Sequence, residues 1–143
     1  MYGTLDISTS GLVAQRARLD AIAANLANMN TILDSSGKVN PYRRKEVFFA
    51  PGNPGAASAE GRTFGVHIAA IQEERTLPTP REYDPDNPFA YTEGPWKGYV
   101  AGTNVNPMIE MVNQVDAARA YEANIMAAEA TKQMMASALR LIA

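Results

Sequence analysis

Residues Ala24–Thr31 read "ANLANMNT", and they decide where the first element of this chain ends. Upstream, Leu5, Leu12, Leu19 and Leu26 recur every seven residues, each followed three positions later by Ser8, Gln15, Ile22 and Met29. That is the a/d pattern of a helix with a partner. The helix then meets Asn25, Asn28 and Asn30. Short amides compete with the helical backbone for hydrogen bonds, so Asn28 and Asn30 predict unwinding and a turn of the chain. Asn25, beside Leu19, Ile22 and Leu26, predicts something else: a buried amide in an apolar seam fixes register, because only one alignment supplies its donors and acceptors. The alternative is that all three form a polar helix end in solvent.

Outward from this stretch, a second long helix is expected at the other end of the chain. Asn106 reads as its N-cap, Pro107 as its first residue and Glu110 as an acid near the positive end of the dipole. No proline or glycine follows from Met108 to Ala143, which predicts one helix of about 35 residues, roughly 50 Å long. Met111, Gln114, Ala118, Tyr121, Ile125, Ala128, Lys132, Met135, Leu139 and Ile142 follow 3-4 spacing as a seam. Met108, Val112, Val115 and Met126 widen its apolar surface beyond what a two-stranded coil uses.

Eight of the nine prolines fall between Pro41 and Pro95. Within that middle, "YRRKEVFFA" (Tyr42–Ala50), "GVHIAAIQ" (Gly65–Gln72) and "KGYVA" (Lys97–Ala101) read as strands of a small antiparallel sheet, with Val47, Phe49, Val66, Ile68, Ile71 and Tyr99 as its core. "SAEGR" between the first two strands reads as a mobile loop. The fold class expected is α+β, with long N- and C-terminal helices pairing as a coiled-coil-like domain and a small antiparallel β domain inserted between them. The boundaries are 1–32 and 104–143 for the two helices of the assembly domain and 33–103 for the β-rich middle.

Composition excludes several functions. A net charge of -2 gives no concentrated basic surface for nucleic acid. With no cysteine there are no disulfides, thiolate nucleophiles or the usual structural zinc sites. No secretory signal and no membrane-spanning apolar run are present in the sequence, so export is expected to use another route than a cleaved leader. His67, the one histidine, lies in a strand pattern without a nucleophile or orienting carboxylate at a useful spacing, which points to a structural role. Glu73 and Glu74 alternate across a strand end and read as a solvated edge. "DPDNP" around Asp84 and Asp86 lacks the glycine and terminal glutamate of a calcium loop. Arg43, Arg44 and Lys45 read as an exposed strand face that discourages edge pairing. No catalytic, cofactor-binding or metal-binding residue is assigned, and neither a cofactor nor a small-molecule substrate is expected.

The helices carry the functional expectation. Helices of roughly 35 Å and 50 Å exceed what a middle segment of roughly sixty residues can cover, so apolar surface stays exposed in a monomer and marks an assembly face. The residues expected on it are Leu5, Leu12, Leu19, Ile22, Asn25, Leu26, Asn28, Met29, Met108, Met111, Val112, Val115, Tyr121, Asn124, Ile125, Met135, Leu139 and Ile142.

"SGLVAQRARLDAIAANLANMNT" (Ser10–Thr31) and "EMVNQVDAARAYEANIMAAEATKQMMASALRL" (Glu110–Leu141) resemble the paired terminal signatures of the flagellar basal-body rod protein family. "NPYRRKEVFF", "VHIAAIQEERTLPTPREYDPDNPFA" and "GYVAGTNVN" are similar in order and spacing to its proximal rod members. The resemblance implies a non-enzymatic structural subunit whose helices pack with those of its neighbours into a hollow, torque-transmitting shaft used in motility. It implies, as partners, other rod subunits, own copies in a helical array, the membrane-embedded ring at the base and the flagellar type III export apparatus, with a place in the periplasmic rod of the basal body. The competing expectation, from a different class, is a soluble helical adaptor or chaperone-like module whose two helices close on a partner peptide.

Overall fold

The computed structural model describes residues 2–76 and 79–142. In chain order it contains α1 (Tyr2–Ala27), β1 (Lys45–Pro51), α2 (Ala59–Phe64), β2 (Val66–Glu73) and α3 (Pro107–Ile142). The long terminal helices pack together, and β1 pairs with β2 in a two-stranded antiparallel sheet, which is the α+β architecture expected from the sequence. The N-terminal signal of α3 works as the sequence implied: Asn106 Oδ1 accepts from the Met108 backbone N–H at 3.0 Å, satisfying a donor that has no partner within the helix. No described helix is long and apolar enough to cross a membrane.

The chain divides into two compact units. The first holds α1 up to Asp20, Val47–Ile71 and α3 from Asn113 onward. The buried side chains of its helices are small: Ser8, Ser10 and Ala14 on α1, and Ala117 and Thr131 on α3. Gly11 shows why. A Cβ at this position would stand 2.8 Å from Asn124 Oδ1. The Asn124 amide is itself tied down, donating from Nδ2 to Ala120 O at 2.8 Å. A mid-helix glycine costs about 1 kcal/mol relative to alanine, and here it is what lets α3 approach. Gly11→Leu is therefore expected to destabilise the protein by about 1–3 kcal/mol through overpacking. The midpoint of urea unfolding checks this; an unchanged midpoint would mean that the Asn124 amide swings aside at no cost.

The segment read as a mobile loop is instead α2. Ser58 caps it, its Oγ accepting from the Gly61 N–H at 3.0 Å, while the Ser58 N–H donates to Asp6 Oδ2 at 2.9 Å. Hydrogen bonding from Ser58, side chain first and backbone second, holds the Asp6 carboxyl below its usual range. Gly61 is buried because a Cβ there would meet Asp6 Cβ and Ala56 Cβ at 2.8 Å. Glycine has low helix propensity, and close packing is the reason it is there. Nearby, Ser10 Oγ donates to Ile7 O at 2.7 Å and accepts from the Val66 N–H at 3.0 Å. His67 Nδ1 lies 2.5 Å from Gly52 O. A carbonyl only accepts, so the ring donates from Nδ1 and ties β2 to the turn after β1.

The third expected strand is not formed. Around Tyr99 there are only isolated bridges, Tyr83↔Tyr99 and Ala90↔Val100. Gly98 has φ +83°, which breaks an extended run, and the Tyr83 ring occupies the place a Cβ would take. The 97–101 segment therefore pairs with the 83–90 loop, and the Tyr99 ring packs edge-on to Tyr83 and Trp96 at centroid distances of 5.2 and 5.9 Å. Without a third strand the expected sheet core is incomplete. Val47, Phe49, Val66 and Ile68 are half-buried, whereas Ile71, near the end of β2, and Tyr99 are exposed.

The second unit holds Ala21–Glu46 and Gln72–Val112. Here α1 unwinds as its asparagines predicted. Asn28 Nδ2 donates to Ala24 O at 2.9 Å, competing with the helical backbone, and Asn28 Oδ1 accepts from Thr31 Oγ1 at 3.1 Å. Arg81 Nη2 then donates to Asn30 Oδ1 at 2.7 Å, and Thr103 Oγ1 to Met29 O at 2.6 Å, which holds the turn in place.

Candidate assembly site

The site is built outward from Asn25, whose side chain is wholly buried. An amide offers two donor hydrogens and two acceptor lone pairs. All four are engaged: Nδ2 donates to Lys45 O at 2.9 Å and to Glu110 Oε2 at 3.0 Å, and Oδ1 accepts from the Lys45 N–H at 2.8 Å and from Tyr42 Oη at 3.1 Å. Gripping both backbone groups of Lys45, the amide takes the place of a neighbouring strand for the first residue of β1. A shift of β1 by one residue would break both bonds and turn its side chains to the opposite face.

Glu110, one turn into α3, is also wholly buried. One carboxylate oxygen takes the Asn25 amide, and the other takes Arg44 Nε at 2.6 Å. Arg44 Nη1 reaches Glu46 and, at 3.4 Å, Glu74 Oε2. Burial works against the Arg44 charge, but the hydrogen bonds to Glu110 and Glu46 outweigh it, so the guanidinium holds its proton more firmly than a free arginine. The Arg44 backbone is fixed too, its N–H donating to Asn104 Oδ1 at 2.7 Å and its carbonyl accepting from the Glu74 N–H at 2.7 Å. Burial, together with the Glu73 and Glu110 carboxylates, pushes the Tyr42 hydroxyl pKa up, so the proton it donates to Asn25 is retained.

This cluster corrects the expectation that Arg43, Arg44 and Lys45 form one exposed basic face. Arg43 and Lys45 are exposed, but Arg44, between them, turns inward by the period of two of an extended chain. It also shows that Glu110 does more than complement a helix dipole. The arrangement holds no nucleophile and no group of three or more metal-ligating side chains among the described residues. What it can do is fix geometry: a buried ion pair contributes little net stability when complete, yet it is costly to break, and so it selects one alignment of the elements it joins.

The second part of the site is the uncovered surface of α3. Its inward residues, Glu110, Ala117, Asn124 and Thr131, repeat every seven positions and are small or polar. Most of the large apolar residues of the same helix are left uncovered: Met108, Ile109, Met111, Val112, Val115, Met126, Met134, Leu139 and Leu141 are all exposed. The seam expected from Met111 onward is thus divided: Ala118, Tyr121, Ile125, Ala128 and Met135 are half-buried, whereas Met111, Gln114, Lys132 and Leu139 are exposed. Of the other expected interface residues, Ile22 is buried like Asn25. Leu5, Leu12, Leu19, Leu26, Asn28, Met29, Tyr121, Asn124, Ile125 and Met135 are half-buried, and the side chain of Ile142 lies outside the described residues. Sequence reasoning missed Arg44, Tyr42 and Asn104. Strand parity was the only signal that could have singled out Arg44.

Comparison with known proteins gives concordant matches. Residues 5–32 match the family described as flagella basal body rod protein, and residues 97–141 match the C-terminal family of flagellar basal body rod FlgEFG proteins. Similar curated proteins include three named flagellar basal-body rod protein FlgC. That of Escherichia coli O6:H1 is 40% identical, covering 99% of this chain and 97% of the relative. That of Bacillus subtilis is 37% identical, with 98% and 97% covered. That of Borreliella burgdorferi is 36% identical, with 99% and 97% covered.

Proposed function

The chain belongs to the flagellar basal-body rod protein family and is a structural subunit of the basal-body rod, and on that premise we propose that it builds the rod by laying the uncovered face of α3 against neighbouring subunits. The observation that carries this reading is the division of labour on α3. The fully buried side chains of α3 are small or polar, and most of the large apolar ones, Met111, Val112 and Val115 among them, are left exposed. An exposed apolar surface of this extent marks an interaction site on a protein. Head-to-tail contacts between unlike faces generate an open helical array, which suits a hollow, torque-transmitting shaft. Its partners are own copies, other rod subunits and the membrane-embedded ring at the base, and it reaches the periplasmic rod through the flagellar export apparatus. Asn25, Arg44 and Glu110 do not touch a partner in this account; they hold the α3 start in the orientation that assembly requires.

Val112→Glu tests the assignment. Val112 is 61% exposed, so the substitution leaves the helical circular dichroism of the full chain unchanged. Placing an unpaired charge in a dry contact should weaken assembly by at least about tenfold, measured by sedimentation of purified protein with co-purified rod subunits. Assembly at the level of the unsubstituted protein would remove this face of α3 from the interface.

A further inference from the structure

We propose that the groove between α1, the turn at residues 53–57 and the start of β2 receives the last turns of α3 from a second copy of this chain, with Leu141 inserted and Arg140 facing Asp6. This rests on the assembly role above and names one of its contacts. The groove is open to solvent on one side and offers about 290 Å³, room for an aliphatic side chain. It exists because its floor is methyl groups: Ala14, Ala56 and Ala57 leave room that larger side chains would fill. Val13, on its wall, is 60% exposed although its neighbour Ala14 is buried. None of the lining residues comes from α3, so the chain's own C-terminal helix does not fill it.

The occupant is the C-terminal end of α3. Thr131 is the last buried side chain described on α3, and beyond it Leu141, 89% exposed, has nothing to pack on. Ser137 and Ala138, four and three residues before it, lie on the same side of the helix and are small enough for close approach. Charge agrees with shape. Asp6 is the one formally charged residue among those lining the groove, and its low pKa keeps it anionic. After Glu129 the described part of α3 carries Lys132 and Arg140 and no acid, and Arg140 makes no ion pair among the described residues. A cationic, apolar helix end meets an anionic, apolar groove. Groove and end are different surfaces of one chain, so each copy can fill its neighbour and be filled by the next, which gives an open array and not a closed dimer.

The absence of native cysteine makes this directly testable in the full chain. Val13→Cys and Leu141→Cys proteins are purified separately, mixed under conditions where sedimentation reports oligomers, and oxidised mildly. A disulfide-linked dimer is expected in at least about tenfold excess over either protein alone and over Leu141→Cys mixed with Phe48→Cys, whose site is exposed but outside the groove. Oligomers that form without that excess overturn the groove assignment and leave the assembly role standing. Absence of both oligomers and cross-link overturns the groove assignment together with self-assembly through α3.

Discussion

Replacing Glu110 with alanine is expected to lower the unfolding free energy by about 3–5 kcal/mol, seen as a lower urea midpoint with an unchanged slope. The magnitude follows from what the carboxylate leaves behind. Asn25 Nδ2 loses an acceptor in a place with no solvent, and Arg44 loses the partner of its Nε–H. Arg44 still has Glu46 and Glu74, whose side chains are 38% and 31% exposed, so its charge is not orphaned and the loss should fall near the lower end. The favourable placement of an acid in the first turn of α3 is lost as well, worth roughly 0.3–1 kcal/mol. Glu110→Gln separates charge from volume. The glutamine amide has one oxygen for two donors, so either Asn25 Nδ2 or Arg44 Nε faces an N–H₂ group, and a loss of about 2–3 kcal/mol is expected even though the side chain is isosteric. If glutamine behaved like the native residue, the cluster would be filling space and nothing more.

The parts of this structure that were legible in the sequence are those set by local chemistry. Asn106 before Pro107 announces the start of α3 because a cap and a fixed φ act within four residues. Asn28 announces the end of α1 because its amide competes with the adjacent backbone, whereas Asn30 accepts from Arg81. Asn25 was legible for another reason, since a polar residue on an apolar seam is informative wherever it occurs. What periodicity could not show was which seam of α3 meets α1. Hydrophobic spacing finds large apolar residues, and in this helix most of those are exposed, with Tyr121, Ile125 and Met135 half-buried, while the inward line is Glu110, Ala117, Asn124 and Thr131. The partners of Asn25 were equally hidden: Glu110 lies 85 residues away in sequence, and nothing local to "NPMIE" distinguishes a buried carboxylate from a capping one. The third strand failed for want of one dihedral angle, because glycine at position 98 permits both an extended and a left-handed backbone, and the Tyr83 ring decides between them.

Asn25→Leu should be at least as damaging, although it places a better helix former on an apolar seam. Leucine would gain roughly 1.5–3 kcal/mol of burial. Against this, the Lys45 N–H, the Lys45 carbonyl and Glu110 Oε2 all lose their partner, each at about 1–3 kcal/mol, whereas the half-buried Tyr42 hydroxyl can turn to water. The middle of these ranges is a net loss of about 4 kcal/mol, with β1 freed to slip against the end of α1. Asn25→Asp sharpens the comparison. It keeps the two acceptor bonds, but sets a carboxylate where the amide stood 3.0 Å from Glu110 Oε2. Two like charges at that distance raise the pKa of one of them, so this variant should be weakest at neutral pH and recover as pH falls through the carboxylate range, where a shared proton restores the bond. Combining Asn25→Leu with Glu110→Met should cost less than the two losses added, because each change removes a group that the other would have left unsatisfied. The same variants report on assembly. With β1 and the start of α3 no longer locked to α1, Asn25→Leu subunits should reach the rod with their α3 faces misaligned and should fail to extend it even at temperatures where they remain folded. Rods that elongate normally from Asn25→Leu protein would show that the amide stabilises the subunit without setting the register of its contacts.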